Sequence, residues 1–370
     1  MENKSSHEGE HRPPILRNRA KPLSLKRPLD VLDRDASAWS AQGGVLPRQV
    51  AAKKMLTVAV VIPSYRVSRH IVQVIERIGP EVAHIFVVDD CCPENTADVV
   101  ADTCQDPRVV IVRQPVNGGV GAATMRGYQE AIAYGADIIL KLDGDGQMDP
   151  KLIGRFVRPV ALGLADYTKG NRFFHLEDLR GMPAMRKFGN AMLSMMTKFS
   201  SGYWDIVDPT NGYTCIHAKV LNELPLHKIS SRYFFESDLL FRLGLVGAVV
   251  ADVPMASVYG DEVSGLHIRR IVGPFAMGHL RNFCKRVIYK YLLREVNVGS
   301  LELLAGLTLT TFGLLFGAHA WFHSVSEAHV ASSGTVMLAG MPIILGVQLL
   351  LSGVHFDIQS VPKRPLHPRL

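Results

Sequence analysis

Residues 137–147, DIILKLDGDGQ, run from a short apolar strand into two carboxylates, Asp143 and Asp145, with one glycine between them. Carboxylates at that spacing, just past a buried strand, can share a hard divalent cation. Mg2+ takes one or two protein carboxylates and fills its shell with water and substrate phosphate. A cation held there would neutralise a leaving diphosphate. A calcium EF-hand loop needs Gly at its sixth position and Glu at its twelfth. Counted from Asp143 those positions are Met148 and Gly154, so that reading fails. A plain polar turn after the strand is the alternative.

Outward from this stretch the same rhythm repeats. TVAVVI (57–62) predicts a buried strand followed by a helix near 67–79. HIFVVDD (84–90) predicts a second strand ending at Asp89 and Asp90, with a helix near 95–104 behind it. VVIV (109–112) predicts a third strand, and a helix near 119–135 leads back to DIIL (137–140). A βαβαβαβ order implies an α/β domain with a mostly parallel sheet and helices on both faces. In such sheets the ligand lies beyond the carboxyl ends of the strands. Pro63-Ser64-Tyr65, Asp89-Asp90 and Asp143-Gly144-Asp145 all fall at such ends, so three polar clusters converge on one rim.

Pro63 and Tyr65 could wall a nucleobase, and Asp89 or Asp90 could accept hydrogen bonds from a base or ribose. Asp90 could equally cap the helix that begins near Asn95. NGGVGAA (117–123) is a Gly-rich turn into a helix, but it lacks the third glycine of GxGxxG and follows the third strand. No GxxxxGK[ST] is present. A hydride-transfer enzyme and a P-loop ATPase both lose support. Arg126, in the helix after this turn, is available to a phosphate. Residues 151–260 are more mixed, with KGNRFF (169–174), DPTNGY (208–213), FFESD (234–238) and YGDEVS (259–264) as landmarks. Glu236 and Asp238 stand beside aromatic rings, which can raise a carboxyl pKa and suit it to act as a base; a helix-start carboxylate is the other reading. Arg172, Asp208 and Asn211 are further rim candidates.

The 370 residues are 47% hydrophobic and 20% charged, which excludes wholesale disorder, and the mean hydropathy of +0.12 suggests membrane segments. Residues 1–54 hold 11 Lys and Arg against 6 Asp and Glu, whereas the remainder holds 30 against 28. The net charge of +7 therefore sits mostly in a basic tail, and it gives no argument for nucleic acid. Five cysteines without a CxxC pair make a disulfide scaffold or a Cys-rich zinc site a poor fit. No secretory apolar run opens the chain, which fits reduced, cytosolic surroundings.

Toward the C-terminus, residues 267–294 place Leu280, Phe283, Cys284, Val287, Ile288 and Tyr291 on one helical side. Arg281, Lys285, Arg286, Lys290 and Arg294 lie on the other. That predicts a basic amphipathic helix in a membrane interface, with a helix packed on the domain as the alternative. Leu303–Phe322 and Gly334–Phe356 then run 20 and 23 residues without a charged side chain, long enough to span a bilayer. The link HSVSEAHVASS has no Lys or Arg, whereas both flanks do. The positive-inside rule then predicts the main domain and both termini on the cytoplasmic side, in a bacterial inner membrane. Gly313, Gly317 and Gly340 could permit close helix packing.

In order, VVIPSY, VVDD, NGGVGAA, LDGDGQ, GNRF and FFESD resemble a family 2 glycosyltransferase of GT-A fold. Within it they are similar to the dolichyl- or polyprenyl-phosphate sugar synthase branch followed by a two-helix anchor. The expected organisation is a disordered basic tail (1–54), a GT-A domain (55–260), amphipathic juxtamembrane helices (261–297), two transmembrane helices within 298–356 (about 301–323 and 334–356) and a cytoplasmic tail (357–370). The resemblance implies an inverting transferase using a nucleotide-sugar donor, Mg2+ or Mn2+, and a polyprenyl phosphate or other lipid acceptor, and it allows a homo-oligomer. It implies donor contacts from Pro63, Tyr65 and Asp90, a metal pair of Asp143 and Asp145 with Gln147 beside it, and a phosphate-handling role for Arg172. Glu236 and Asp238 match acceptor-side carboxylates. Arg269, Arg270 and Arg281 are expected to meet the lipid phosphate. Two departures stand out: the PxYNE start reads Pro63-Ser64-Tyr65-Arg66-Val67, and an RxGxSK-like segment is replaced by residues 259–264. A lipid-phosphate acceptor is itself a dianion near neutral pH and needs no strong base. A glycolipid hydroxyl would need Glu236 or Asp238 as base. A membrane-anchored, non-catalytic nucleotide-sugar-binding subunit is the reading from another class, and the intact carboxylate pair argues against it.

Overall fold

The computed structural model describes residues 56–174, 184–256 and 268–370. The N-terminal tail and the 259–264 segment lie outside the described residues. Apolar runs become strands: β1 (Val58–Ser64), β2 (His84–Asp89) and β4 (Ile138–Lys141), buried on both faces, and the half-buried edge strand β3 (Val109–Arg113). Between them lie α1 (Ile71–Glu76), α2 (Thr96–Thr103) and α3 (Val120–Ala133). After β4 come α4 (Ile153–Ala161), β5 (Tyr167–Asn171), α5 (Ala184–Ser201), β6 (Thr214–His217), α6 (Ala218–Asn222), α7 (Phe235–Val246) and β7 (Val250–Pro254).

The seven strands form one sheet in the order β3-β2-β1-β4-β6-β5-β7. All pairings are parallel except those of β6, which runs antiparallel to both β4 and β5. The chain leaves β1 toward β2 and β3, then returns to place β4 on the other side of β1. That reversal opens a crevice at the carboxyl ends of β1 and β4, and the DxD pair lies there. One face of the sheet is filled by residues such as Tyr128, Tyr203 and Leu240, the other by Ile71, Phe156 and Tyr213. Phe156 and Tyr213 stack at 4.0 Å.

Beyond the sheet, α8 (Ile268–Val287) continues through a π-helical turn, Ile288–Arg294. Two long helices follow, α9 (Val298–Ser326) and α10 (Ser333–Gln359), both long and apolar enough to cross a membrane. They pack along their length: Gly306 lies backbone to backbone with Gly346, and Gly313 faces Ala339, whereas Gly340 points away from any neighbour. In α8 the structure corrects the predicted sidedness. Leu280, Cys284 and Ile288 are exposed, while His279, Asn282 and Arg286 are buried against the domain. Arg286 is buried because Asp357, near the end of α10, accepts from its Nη1 at 2.8 Å and its Nη2 at 2.9 Å. The split is mixed: Phe283, Val287 and Tyr291 of the apolar set face the protein beside Arg286, while Arg281, Lys285 and Arg294 stay exposed.

The segment after α10 does not trail away. It returns to the foot of the sheet, where Asp166 accepts from the backbone N–H of Leu366, His367 and Val249 and bonds His367 Nδ1 at 2.7 Å. The His367 ring stacks on His217 at 4.2 Å. Burial alone would raise the Asp166 carboxyl, but His367 and these N–H groups outweigh it and hold it below the usual range. Burial, aided by His367, pushes His217 from 6.5 down to about 4. As pH falls through that window the unfolded chain takes up the proton first, so stability is full above about 6.5 and declines toward 4. Thermal unfolding of the detergent-solubilised protein across this range should show the decline, and His217→Phe should flatten it. His279, displaced downward by burial to about 4, leaves a residual slope.

Candidate active site

The crevice is built from loops held in demanding conformations. Arg66, after β1, and Cys91, after β2, both have left-handed backbones, with φ of 58° and 52°. Such strain in non-glycine residues persists only where neighbours over-determine it, as is common at functional sites. Here the Arg66 N–H donates to Cys92 Sγ at 3.1 Å. Pro63 is buried near the end of β1, and Tyr65 is exposed with the Arg66 guanidinium 5.4 Å from its ring centre.

The helix-capping alternative expected of Asp90 falls to Asp89. Asp89 accepts from the N–H groups of Cys92 at 2.7 Å and Ala97 at 2.9 Å, so it is Asp89 that holds the start of α2. Asp90 accepts from Gly118 and Gly119, each at 2.8 Å, and thereby fixes the Gly-rich turn. Gly119 has φ +91°, and a side chain there would strike Ser231 O at 2.8 Å. The turn is glycine-rich because the 230–232 segment, leading into α7, crosses it closely. Arg126 lies further along α3, half exposed and paired with Glu130 at 2.7 Å.

At the end of β4 the sequence reading missed the central residue. Lys141 is buried, and its Nζ donates to Asp143 Oδ1 at 2.7 Å and stands 3.7 Å from Glu236 Oε1. Burial lowers its affinity for a proton, but Asp143 and Glu236 outweigh this and hold the ammonium above its ordinary pKa. Gly212 closes the back of the group: a Cβ there would lie 2.5 Å from Lys141 Nζ and 2.7 Å from Asp143 Oδ2. Asp145 is turned by its own loop, accepting from Gln147 N at 3.0 Å. Burial raises the Glu236 carboxyl; Lys169 and Lys141 draw it back, and Asp143 adds to the rise. Lys169, wholly buried on β5, donates to the carbonyl of Asn211, and burial lowers its pKa.

Just past β5, the rim candidates Arg172 and Asp208 lie together as partners of one another. Asp208 is fully buried and accepts from Arg172 Nε at 2.7 Å and Nη2 at 3.0 Å. Asn211, also buried, accepts from Tyr213 N at 3.0 Å. Both therefore support Arg172 from beneath and do not form an open acceptor surface. Asp238 is likewise corrected. It is buried, accepting from Ser230 N and Asn282 Nδ2, each at 3.0 Å, and pairing with Arg242. It fixes α7 to α8, and Glu236 alone of the two carboxylates reaches the Lys141 group. Arg281 is exposed on α8. Arg269 and Arg270 fall in the first turn of α8, and their side chains lie outside what is described.

Residues 59–224 fit the model of glycosyl transferase family 2. The matched region, 59–224, is a glycosyl transferase family 2 domain. It is similar to the UDP-N-acetylglucosamine–dolichyl-phosphate N-acetylglucosaminyltransferase of Methanococcus voltae, 26% identical over 54% of this chain and 85% of that protein. It is similar also to the polyprenol monophosphomannose synthase of Mycolicibacterium smegmatis, 29% identical over 57% and 82%. The undecaprenyl-phosphate mannosyltransferase of Micrococcus luteus is 28% identical over 55% and 84%. Among solved structures, mannosyl-3-phosphoglycerate synthase of Rubrobacter xylanophilus overlaps 65% of this chain and 77% of its own, at 19% identity and a TM-score of 0.48.

Within this family 2 domain no cluster of three or more His, Cys, Asp or Glu encloses a metal site among the described residues. The donor set is two carboxylates, each oriented through one oxygen, Asp143 by Lys141 and Asp145 by the Gln147 N–H. That set suits Mg2+ or Mn2+ completed by substrate phosphate and water. Lys141→Met would leave Asp143 and Glu236 facing each other without their buried cation. Unfolding free energy should drop by roughly 3 kcal/mol, read by thermal denaturation against the wild type; an unchanged melting temperature would remove Lys141 from this role.

Proposed function

We propose that the chain transfers a sugar from a nucleotide-sugar donor to a polyprenyl phosphate at the surface of the membrane that holds α9 and α10. The carrying observation is that helix α8, whose exposed surface combines Met277, Leu280 and Cys284 with Arg281 and Lys285, packs on the element that bears Glu236. Phe234, next to the start of α7, contacts Phe275 at 5.3 Å and His279 at 5.0 Å, and Asn282 bonds Asp238. A site beside an interface helix meets an amphiphile whose reacting phosphate lies at headgroup depth. The names of the similar proteins support the same acceptor class.

In this reading Tyr65 and Pro63 flank the donor base, and Asp90 shapes the Gly-rich turn beside it. Asp143 and Asp145 would hold Mg2+ or Mn2+, which when bound supplies positive charge to a leaving diphosphate. Arg172, braced by Asp208, and the exposed Arg281, with Arg269 and Arg270, offer cations to the lipid phosphate. A phosphate with a second pKa near 6 is already largely dianionic, so bringing two anions together is the main demand on the site. Attack at the anomeric carbon breaks the bond to the diphosphate and inverts the centre. The positive-inside pattern supports a cytoplasmic catalytic domain.

A hydroxyl acceptor is the second reading, favoured by the raised Glu236 carboxyl, since a buried carboxyl of that kind can take a proton. Incubation with undecaprenyl phosphate, divalent metal and a pool of UDP- and GDP-sugars, followed by mass spectrometry, should reveal a lipid heavier by one glycosyl unit. Asp145→Asn should abolish it. Glu236→Gln should retain activity within about tenfold for a phosphate nucleophile, and lose about a hundredfold or more for a hydroxyl. Nucleoside diphosphate release without the new lipid would overturn the phosphate reading.

A further inference from the structure

At the far end of α7 a pocket of about 230 Å3 opens between the catalytic domain and the start of the hairpin. Gly244 on its wall lies eight residues past Glu236, about 12 Å along the helix, so the pocket is separate from the crevice at the DxD pair. Glu295 on its rim precedes α9, and Ser360 is the first residue after α10. The pocket therefore lies at the level where both apolar helices begin and end. Leu293 and Val296 are strongly exposed beside it.

Three cations line the pocket: Arg286, Lys290 and Arg294. Arg286 is buried and immobilised; its Nε and Nη2 donate to Phe199 O, and its Nη1 and Nη2 to Asp357. One N–H of Nη1 is left over, on the atom that a Cβ at Gly202 would approach to 2.7 Å. Lys290 gives one of its three N–H groups to Asp357, and Arg294 gives one N–H to Leu245 O. Against these cations stand two carboxylates, Asp357 and Glu295. The balance is positive, and the unspent donors exceed the acceptors.

We propose that this pocket binds the phosphate-bearing headgroup of an anionic phospholipid from the surrounding leaflet. The phosphate accepts from Lys290, Arg294 and the remaining Arg286 N–H, and the acyl chains follow the apolar residues beside α9. Basic pockets at the ends of membrane helices favour anionic headgroups for this reason. The inference rests on the membrane reading of α9 and α10 and not on the transfer chemistry.

The full chain, reconstituted in phosphatidylcholine bilayers with phosphatidylglycerol and released into the gas phase for native mass spectrometry, should retain phosphatidylglycerol. K290E/R294E should lose about tenfold or more of it, while the charge-conserving K290R/R294K keeps it. No donor or acceptor is added, so the result does not depend on turnover. Equal retention by wild type and K290E/R294E, with matching circular dichroism, would overturn the proposal. So would saturation of the pocket by inorganic phosphate in lipid-free micelles without phosphatidylglycerol retention, which would assign it to free phosphate.

Discussion

The buried carboxylate of Asp357 holds the molecule together across its largest discontinuity. It accepts from Arg286, from Lys290 at 3.1 Å, from Tyr291 Oη at 2.5 Å and from Trp204 Nε1 at 2.9 Å. Those partners come from the segment after α5, from α8 and from the π-helical turn, and the carboxylate itself belongs to α10. Two cations and two neutral donors around one carboxylate satisfy its oxygens in a place where an unmatched charge would be costly. The position of α8 follows from this knot. The position of α8 in turn fixes Phe275, His279 and Asn282 against the start of α7, where Glu236 meets Lys141. The chemistry of the crevice is thus registered to the apolar helices through a short run of packed side chains.

The crevice carries a second consequence of burial. Lys141 and Lys169 give the carboxylate-rich end of the sheet its own internal cations. Asp143 and Asp145 are therefore not a bare negative surface, and Asp143 is already oriented. Arg172 is oriented by the same means, through Asp208. The site is pre-organised by ion pairs, which lowers the ordering that a substrate must impose.

The first half of the sheet was legible because β1 to β4 read as continuous apolar runs, with β1, β2 and β4 buried on both faces. The GT-A architecture and the two long apolar helices were legible for the same reason. β5 and β6 were not: YTKGN and TCIH are short, polar in part, and defined by partners distant in sequence. Lys141 and Lys169 escaped notice because lysine is seldom fully buried unless paired, and their partners lie up to 95 residues away, as Glu236 does from Lys141. The sidedness of α8 was inverted for Arg286 by a partner 71 residues further on. Asp89 and Asp90 were correctly placed at a strand end, but which of the two would hold the helix and which the glycine turn depends on the left-handed backbone at Cys91, a feature no periodicity reveals.

The bond between Asp166 and the N–H of Leu366 and His367 joins residues about 200 positions apart, with the whole apolar hairpin between them. Synthesis proceeds from the N-terminus, and domains ordinarily close as they emerge. Here the foot of the sheet waits for residues made after both long apolar helices. Both apolar helices must be made and turned back on each other before Asp166 receives its partners. Closure of that foot therefore follows the making of the hairpin, and a chain stopped short of Leu366 leaves Asp166 without those N–H partners.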